Sequence, residues 1–358
     1  MSNDIKLIVF DNCKKLGEKV SKIINEDSND IIVPISTPRF SNGESRGKIM
    51  STIRDKDLYI LSDVGNYSIT YKMHEHKNHM SPDEHFQDIK RVILAASGHA
   101  RKITVIMPLL YQARQHRKQS RESLDCANAL QELERLNVDE IITFDAHDPN
   151  VVNAIPTTPF DNFFATHTIL SEFINNEPNS INNILVVSPD MGAMERARYC
   201  AEMIGCDVGL FYKRRDLSKI VNGKNPIVEH IYLGTDVKGK DIIVIDDMIS
   251  SGSSILEVAT SLKEKGANKI FFMTTFSLFT EGHKTFDEAY NNNIFNKVYS
   301  TNLTYVPNEI LNKEWFQEVD CSNQIAQIIT TLNNKESIAP LFNGKDKILS
   351  KIKALKKD

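Results

Sequence analysis

The sequence is short of the features that mark membrane, secreted or nucleic-acid-binding proteins. Its five cysteines are scattered without a C-x-x-C spacing, so neither a zinc site nor a disulfide framework is indicated. No apolar run approaches membrane-spanning length, and the start, MSNDIKLIVFDN, lacks the basic region and long apolar run of a signal peptide. A formal net charge of −4 over 358 residues offers no strong field to nucleic acid or an anionic membrane. We therefore expect a cytoplasmic globular protein without membrane or nucleic-acid partners.

The common nucleotide-binding motifs are also missing. No G-x-G-x-x-G occurs, and GTDVKGKD at 234–241 has the spacing of a P-loop but ends in Asp241, where a P-loop carries Ser or Thr. This segment also precedes an apolar run, whereas a P-loop follows a strand and opens a helix. We interpret it as a turn that leads into a strand, so any ATP must bind by another route.

Short β-branched runs alternate with helical patterns along the chain. This alternation predicts an α/β fold with parallel sheets covered by helices, in two similar blocks. We place the domains at 1–165 and 166–342, with a basic amphipathic tail helix at 343–358 that packs on the first domain. The predicted strands are 7–10, 58–61, 103–107, 140–144, 184–187, 208–211, 242–245 and 269–273.

Five of these runs end at or near an aspartate. Ligands of open parallel sheets bind beyond the carboxyl ends of the strands, so carboxylates there are candidates for contacts to magnesium or a sugar. For Asp11 and Asp63 we favour a simpler role, capping of the helix that follows. The five positions are Asp11, Asp63, Asp145, Asp190 and Asp246.

The stretch VIDDMISSGSS at 244–254 contains the strongest chemical signal. An apolar run meets two adjacent carboxylates, Asp246 and Asp247, and a loop of four serines around one glycine precedes a helical pattern. Carboxylates bind sugar hydroxyls or a hydrated cation, and exposed N–H groups at a helix start bind an anion. A cap would explain one serine, but it would not explain the acidic pair and the whole hydroxyl loop. A phosphorylated sugar satisfies both halves.

Other polar clusters have a weaker signal when taken singly. ARQHRKQSR follows a strand end and by default is a solvated basic loop. His147 in TFDAHD and the cations of YKRRD at 212–216 also have ordinary structural explanations. The irregular stretch 66–85 carries four histidines without a metal-binding spacing, so we expect a mobile surface loop and assign it no chemistry.

Taken in order, these pieces resemble the ribose-phosphate pyrophosphokinases from about residue 5 to about 343. RFSNGE at 39–44 is similar to the adenine-contacting stretch of that family, and ARQ to the start of its ATP-binding flexible segment. FDAH is similar to its magnesium histidine, VVSPDMGAMERAR to its second magnesium carboxylate region, and YKRRD to its catalytic loop. VIDDMISSGSS is similar to its ribose-5-phosphate loop.

The resemblance implies two phosphoribosyltransferase-type domains and a role for each matching residue. ATP contacts would come from Phe40, Asn42, Gly43, Glu44, Arg114 and Gln115. Ribose 5-phosphate contacts would come from Asp246, Asp247, Ser250, Ser251, Gly252, Ser253 and Ser254. Magnesium would be held by His147 and Asp190, and catalysis would use Lys213, Arg215 and His147.

The implied reaction moves the diphosphoryl group of ATP to the anomeric hydroxyl of ribose 5-phosphate and releases AMP. The resemblance further implies Mg²⁺, ATP as co-substrate and a homo-oligomer, commonly a hexamer, whose adenine stretch serves a neighbouring subunit. Two alternatives stay open. One is a non-catalytic regulatory homologue, although this chain keeps both the cationic and the sugar loop, and the other is a phosphoribosyltransferase.

Several positions depart from the family pattern. The residue after ARQ is usually acidic and here is His116, and serines stand where the sugar loop usually has threonines, at Ser251 and Ser254. The insertion at 66–85 is unusual, and TFS at 275–277 replaces a Thr-His-Gly. These departures bear on allosteric control more than on the core chemistry.

Overall fold

The computed structural model describes residues 4–25, 31–215 and 227–355, with the backbone alone for 213–215 and 227–230. The chain forms two compact units. The first contains residues up to Ala165 together with Asn302–Tyr305 and Asp320–Phe342, and the second contains Thr166–Thr301, Val306–Val319 and the residues from Asn343 onwards. Two segments that come later in the chain thus belong to the first unit.

The first unit is built on a five-stranded parallel sheet with the order β1-β4-β7-β8-β9. Strands β4 and β8 are buried along their whole length, which explains their nearly continuous apolar sequence. Its strands are β1 Ile5–Val9, β2 Ile35–Ser36, β3 Lys48–Ile49, β4 Asp57–Leu61, β5 Thr70–Met73, β6 His76–His79, β7 Lys102–Ile106, β8 Glu140–Phe144 and β9 Phe160–Phe163. Its helices are α1 Lys14–Ile24, α2 Pro82–Ala96, α3 Asp125–Arg135, α9 Ser322–Asn333 and α10 Ala339–Phe342.

The second unit is built on a seven-stranded sheet with the order β12-β11-β10-β13-β14-β15-β16, parallel except for the β11–β12 pair. An aromatic core around Phe272, Phe286 and Trp315 packs between α6 and this sheet. Its strands are β10 Ile184–Ser188, β11 Val208–Arg215, β12 Ile227–Leu233, β13 Asp241–Ile249, β14 Ile270–Ser277, β15 Lys297–Thr301 and β16 Phe316–Val319. Its helices are α4 Thr166–Asn176, α5 Met194–Ile204, α6 Ser253–Glu264, α7 Lys284–Asn291, α8 Asn308–Leu311 and α11 Lys345–Leu355.

The predicted α/β class with two mainly parallel, helix-flanked sheets is therefore confirmed. The segment 234–241 is a turn that leads into β13, as predicted. The tail helix α11 exists, but it contacts α4 and α5 of the second unit, where the sequence analysis expected the first domain. All five cysteines lie in the described part of the chain and none forms a disulfide. Of the helices in the described ranges, none is long and apolar enough to cross a membrane.

Residues 66–85 form ordered structure, so the prediction of a mobile loop is wrong. Strands β5 and β6 pair as an antiparallel hairpin, and α2 begins directly afterwards. The start of α2 is fixed by a capping box, in which Ser81 Oγ accepts from the Glu84 amide and Glu84 Oε2 accepts from the Ser81 amide. Within this stretch His85 is buried, and its ring bonds to the side chain of Asn12 and to the carbonyl of Asn66.

Neither Asp11 nor Asp63 caps a helix, which corrects that expectation. Phe10 occupies the N-cap position before the short 3₁₀ helix Asp11–Cys13. The carboxylate of Asp63 is buried and ties the end of β4 to a distant segment, because it accepts from the amide of Tyr305 at 2.7 Å and from the hydroxyl of Thr304. Burial raises the pKa of Asp63 to about 7, although these hydrogen bonds oppose the shift.

Removing this tie should destabilise the first unit. We expect Asp63→Ala to lower the free energy of unfolding by about 2–4 kcal/mol, because the buried hydroxyl of Thr304 and the partly buried amides of Gly65 and Tyr305 lose their acceptor. Urea unfolding followed by circular dichroism measures the change. The exposed Asp11→Ala is the control and should stay within about 0.5 kcal/mol of the parent. Equal effects of the two substitutions would contradict the assignment.

Candidate active site

The order of strands in the second unit creates a place for a ligand. From β10 the chain proceeds to β11 on one side, and it later returns to β13 on the other side of β10. The connections after β10 and β13 therefore run in opposite directions along the sheet. In open α/β sheets, ligands bind in the crevice beyond the carboxyl ends of the strands at such a switch point. Asp190 follows β10, and the acidic pair stands at the end of β13.

The acidic pair belongs to the last residues of β13, since this strand continues to Ile249. Asp247 is buried, Asp246 is partly exposed, and the Asp247 amide donates to Asp246 Oδ1 at 2.9 Å. Burial, reinforced by the charge of Asp247, raises the pKa of Asp246 to about 7, while nearby Arg196 opposes the shift. The fold thus holds the Asp246 carboxylate where its ionised form is disfavoured unless a proton or a cation neutralises it.

Gly252 connects the serine loop to α6. Gly252 is the N-cap of α6 with φ of +81°, a left-handed conformation that strains other residues, and a Cβ there would stand 2.3 Å from the Phe286 ring. Because Gly252 is the N-cap, none of the serines occupies that position. Ser251 and Ser253 hydroxyls lie 3.2 Å apart on the exposed side of this turn.

The remaining serines of the loop are also placed at the start of α6. The Ser250 hydroxyl lies 3.3 Å from that of Thr280, and the Thr280 amide donates to the Ser250 carbonyl. Ser254 is exposed in the first turn of the helix. A helix N-terminus surrounded by hydroxyls is suited to an anion such as a phosphate.

Asp190 fixes the turn before α5 as well as carrying charge toward the acidic pair. Its Oδ1 accepts from the amides of Gly192 at 2.8 Å and Ala193 at 3.2 Å. The same carboxylate contributes to the raised pKa of Asp246. The turn uses one oxygen of Asp190 and leaves its charge in the site, while Ala193 is the N-cap of α5.

The predicted catalytic cations lie on β11. The backbone of Lys213 and Arg215 belongs to this strand, which pairs with β12, and the pairing register shifts between Arg214 and Arg215. Their side chains lie outside the described part of the chain. The alternation of a regular strand therefore does not by itself place the two side chains on one face.

In the first unit, residues 39–45 form a tight turn that exposes a phenylalanine. The Phe40 amide donates to the Glu44 carbonyl at 2.7 Å, and Gly43 closes the turn with φ of +91°. Asn42 donates to the Glu44 carboxylate and accepts from its amide. The Phe40 ring is 45% exposed at the tip of this turn, available to stack on a planar ligand.

His147 is presented by a turn at the end of β8. Asp145 adopts a left-handed φ of +41°, and its carboxylate accepts from the Ala165 amide, so the chain bends and leaves His147 exposed. The His116 ring lies edge-on to that of His147 at 5.3 Å and bonds to Asp148 at 3.0 Å.

The structure therefore joins the ARQ segment to the FDAH segment within one unit. Arg114 and Gln115, which precede His116, are both exposed. The Gln115 carbonyl accepts from the Cys126 amide, which fixes the segment to the start of α3. Desolvation lowers the pKa of His116 and the charge of His147 adds to this effect, whereas Asp148 opposes it.

Sequence analysis missed several residues that shape these clusters. Arg39 fixes the 39–45 turn and Asp148 bonds to His116. Both stand inside motifs, RFSNGE and TFDAHD, in which other residues were predicted to act. Arg196, which lies beside the acidic pair, also stands inside such a motif, VVSPDMGAMERAR. Thr280 had no local signal, because only the folded chain brings it close to Ser250.

The donor set of the second unit fits a magnesium ion that is bound in part by other ligands. Asp190, Asp246 and Asp247 are oxygen donors whose mutual repulsion a cation would relieve, and Mg²⁺ prefers such donors. Within the described ranges, no three His, Cys, Asp or Glu side chains form a cluster able to hold a metal alone. A magnesium ion with few protein ligands keeps waters and substrate oxygens.

Comparison with known proteins gives a consistent result along the chain. The family model for the N-terminal domain of ribose phosphate pyrophosphokinase matches residues 5–136, and the phosphoribosyl synthetase-associated domain matches 212–343. A ribose-phosphate pyrophosphokinase of Vibrio parahaemolyticus is 26% identical over 95% of this chain and 99% of its own length. Those of Shewanella oneidensis and Schizosaccharomyces pombe are 28% and 27% identical over 95% and 96% of this chain and 99% and 98% of theirs.

A solved structure agrees with the fold. The phosphoribosylpyrophosphate synthetase of Mycobacterium smegmatis superposes with a TM-score of 0.77 at 20% identity, over 93% of this chain and all of the other. Two family models with ordered, non-overlapping matches and relatives of nearly equal length leave little of the chain unaccounted for. The chain belongs to the ribose-phosphate pyrophosphokinase family.

Proposed function

We propose that this protein transfers the diphosphoryl group of ATP to ribose 5-phosphate, which gives 5-phospho-α-D-ribose 1-diphosphate and AMP. The observation that carries the proposal is the acidic pair beside a glycine-capped serine loop at the switch point of the second sheet. Carboxylates beside an anion-binding helix start are suited to the two ends of a sugar phosphate. The names of the full-length relatives support this same reaction.

In the proposed complex the serine loop binds the 5-phosphate. Hydroxyls of Ser250, Ser251, Ser253 and Ser254 donate to it, together with amides of the first turn of α6. Gly252 lets the chain turn into the helix without a side chain in the way. Asp246 and Asp247 accept from the ribose hydroxyls, which orients the anomeric oxygen for attack.

ATP contacts come from the first unit. Phe40 stacks on the adenine, while Asn42, Gly43 and Glu44 hold its edge. The mutual hydrogen bonds of Asn42 and Glu44 support this role, because they fix both side chains in advance. Exposed Arg114 and Gln115 bind the phosphates.

Magnesium is the proposed cofactor, with Asp190 and His147 as protein contacts and Asp246 and Asp247 acting through water. When bound, the ion neutralises charge on the triphosphate. Two direct protein contacts would leave most positions of an octahedral Mg²⁺ to ATP oxygens and water.

The transfer itself forms one oxygen–phosphorus bond and breaks another. The anomeric oxygen bonds to the β-phosphorus, the bridge between the α- and β-phosphorus breaks, AMP leaves with the bridging oxygen, and the hydroxyl proton passes to solvent. Phosphoryl transfer of this kind depends on positioning and charge neutralisation. Lys213 and Arg215 are proposed to stabilise the charge that grows in the transition state. His147 is proposed to act as a ligand of the metal.

We further propose a cytoplasmic homo-oligomer built from dimers, for which a hexamer is one of the sizes open to it. An adenine-contacting turn that serves a neighbouring subunit would make ATP binding depend on assembly. The exposed Phe40 at the tip of the 39–45 turn supports this arrangement.

Product analysis tests the proposed reaction. Incubation with ATP, magnesium and ribose 5-phosphate should produce AMP in step with phosphoribosyl diphosphate, and no AMP when the sugar is left out. ADP as the nucleotide product would indicate an ordinary kinase and contradict the proposal. No turnover by correctly assembled protein would favour a regulatory homologue.

Asp246→Asn should impair turnover and stabilise the ligand-free protein. The folded-state pKa of Asp246, about 7, exceeds the ordinary value of 3.8, so the native state prefers the proton. The stability that this preference provides is complete below about pH 4 and is lost as the pH rises to 7. We expect the variant to gain about 1–3 kcal/mol over the parent at pH 8, and little at pH 4.5.

Thermal unfolding at both pH values, with turnover measured on the same samples, checks this prediction. The control is Asp236→Asn in the exposed turn before β13, which should change neither quantity. A destabilised Asp246→Asn with normal turnover per folded molecule would mean that the carboxylate is structural.

Substitutions on β11 separate catalysis from solvation. If Lys213 and Arg215 act on charge that grows only in the transition state, alanine at either should lower kcat and kcat/KM together with little change in KM. The expected loss is roughly a hundredfold to a thousandfold. Arg214→Ala is the matched control and should have a much smaller effect. Equal, mild effects at all three positions would remove both residues from the mechanism.

A further inference from the structure

The inserted hairpin β5–β6 has a turn that its own residues do not favour. His74 and Glu75 both have left-handed φ, +48° and +68°, as in the two central residues of a type I′ turn. Such turns prefer Asn-Gly, and a histidine and a glutamate in these conformations are strained. The hairpin must therefore be held in place by contacts to the rest of the first unit.

Those contacts come from one face of the hairpin. Along β5, Tyr71 and Met73 are partly buried while Lys72 between them is exposed, as strand alternation requires. Met73 lies against the backbone of the 39–45 turn, since a Cβ on Gly43 would stand 2.6 Å from the Met73 sulfur. The Tyr71 ring faces the guanidinium of Arg39, with the Arg39 carbon 5.5 Å from the ring centroid.

Arg39 is the residue that fixes the other side of the turn. Its side chain is 6% exposed, and two of its nitrogens donate to the two oxygens of Asp88 on α2, at 3.0 and 2.8 Å. This bidentate pair is a rigid geometry. Asp88 also accepts from Arg91 at 2.7 Å, so its charge is shared. Arg39 is thus clamped between α2 and the hairpin, directly before Phe40.

Tyr71 is itself connected to the start of α2. A hydrogen bond to Glu84 raises the pKa of Tyr71, and Glu84 is the residue that completes the capping box. The 39–45 turn is therefore contacted by two elements. Asp88 of α2 and Tyr71 of the hairpin contact Arg39, and Met73 of the hairpin contacts Gly43. The turn's own hydrogen bonds are local and lie among exposed or partly exposed residues.

We propose that the hairpin β5–β6 holds the 39–45 turn in its adenine-binding conformation, with Tyr71 and Met73 as positioning residues. The inference rests on the proposed function, in which Phe40, Asn42 and Glu44 contact ATP. Positioning of this kind lowers the entropy that the turn loses when ATP binds, so it acts on affinity for ATP. It leaves the chemistry on ribose 5-phosphate unchanged.

Steady-state kinetics of hairpin variants provide the first test. We expect Tyr71→Ala and Met73→Ala each to raise the KM for ATP about tenfold, with kcat and the KM for ribose 5-phosphate changed less than about twofold. Tyr71→Phe and Met73→Leu keep the ring and the apolar contact and should restore most of the affinity. Lys77→Ala, on the exposed face of β6, is the matched control.

Hydrogen exchange of the ligand-free protein provides a second readout that needs no activity. The amides of Phe40 and Gly43 should exchange about tenfold faster in the two alanine variants than in Lys77→Ala. The double substitution His74→Asn with Glu75→Gly supplies the residues that the turn prefers, so it should slow this exchange.

The two readouts separate the inference from the function on which it rests. Unchanged exchange in Tyr71→Ala and Met73→Ala would overturn the inference whatever the enzyme does. Faster exchange with an unchanged KM for ATP would also overturn it, because the hairpin would then stabilise a turn that does not bind ATP. A parent enzyme that forms no AMP would reject the proposed function instead. The exchange data would still show whether the hairpin holds the 39–45 turn in place.

Discussion

Burial of carboxylates at the end of β13, reinforced by the repulsion between them, is the constraint on which the candidate site of the second unit depends. Asp246 and Asp247 are adjacent at the end of a buried strand, and Asp190 adds its charge from the end of β10. The chain and the packed sheet keep these groups together, and a cation that neutralised them would relieve their repulsion. Phe286 packs directly against Gly252, so the buried core also fixes the serine loop at the start of α6.

Sequence reasoning worked best where local pattern and burial agree. Strands such as β8 and β10 are buried along their whole length, so they were visible as short apolar runs, and the alternation with helices indicated the fold class. The chemistry at 244–254 was visible because two carboxylates and four serines exceed what a helix cap requires. The structure agrees with this reasoning, because the N-cap of α6 is Gly252 and not one of the serines.

Other features could not be predicted, because they depend on contacts between distant residues or on strained backbone. The tie from Asp63 to Tyr305 spans 242 positions and has no local pattern. The β5–β6 hairpin was missed because His74 and Glu75 are not typical turn residues, and its stability comes from Arg39 and Gly43 far earlier in the chain. Both failures concern residues whose conformation is decided by tertiary contacts.

The ionisation of Asp246 tests the central claim most directly. Carboxyl ¹³C NMR of aspartate-labelled protein, with Asp246→Asn for assignment, follows this group through a pH titration. The account predicts a midpoint near 7 without ligands and a clear decrease when magnesium and ribose 5-phosphate are added. A midpoint near the ordinary value of 3.8 that does not move with either ligand would contradict it.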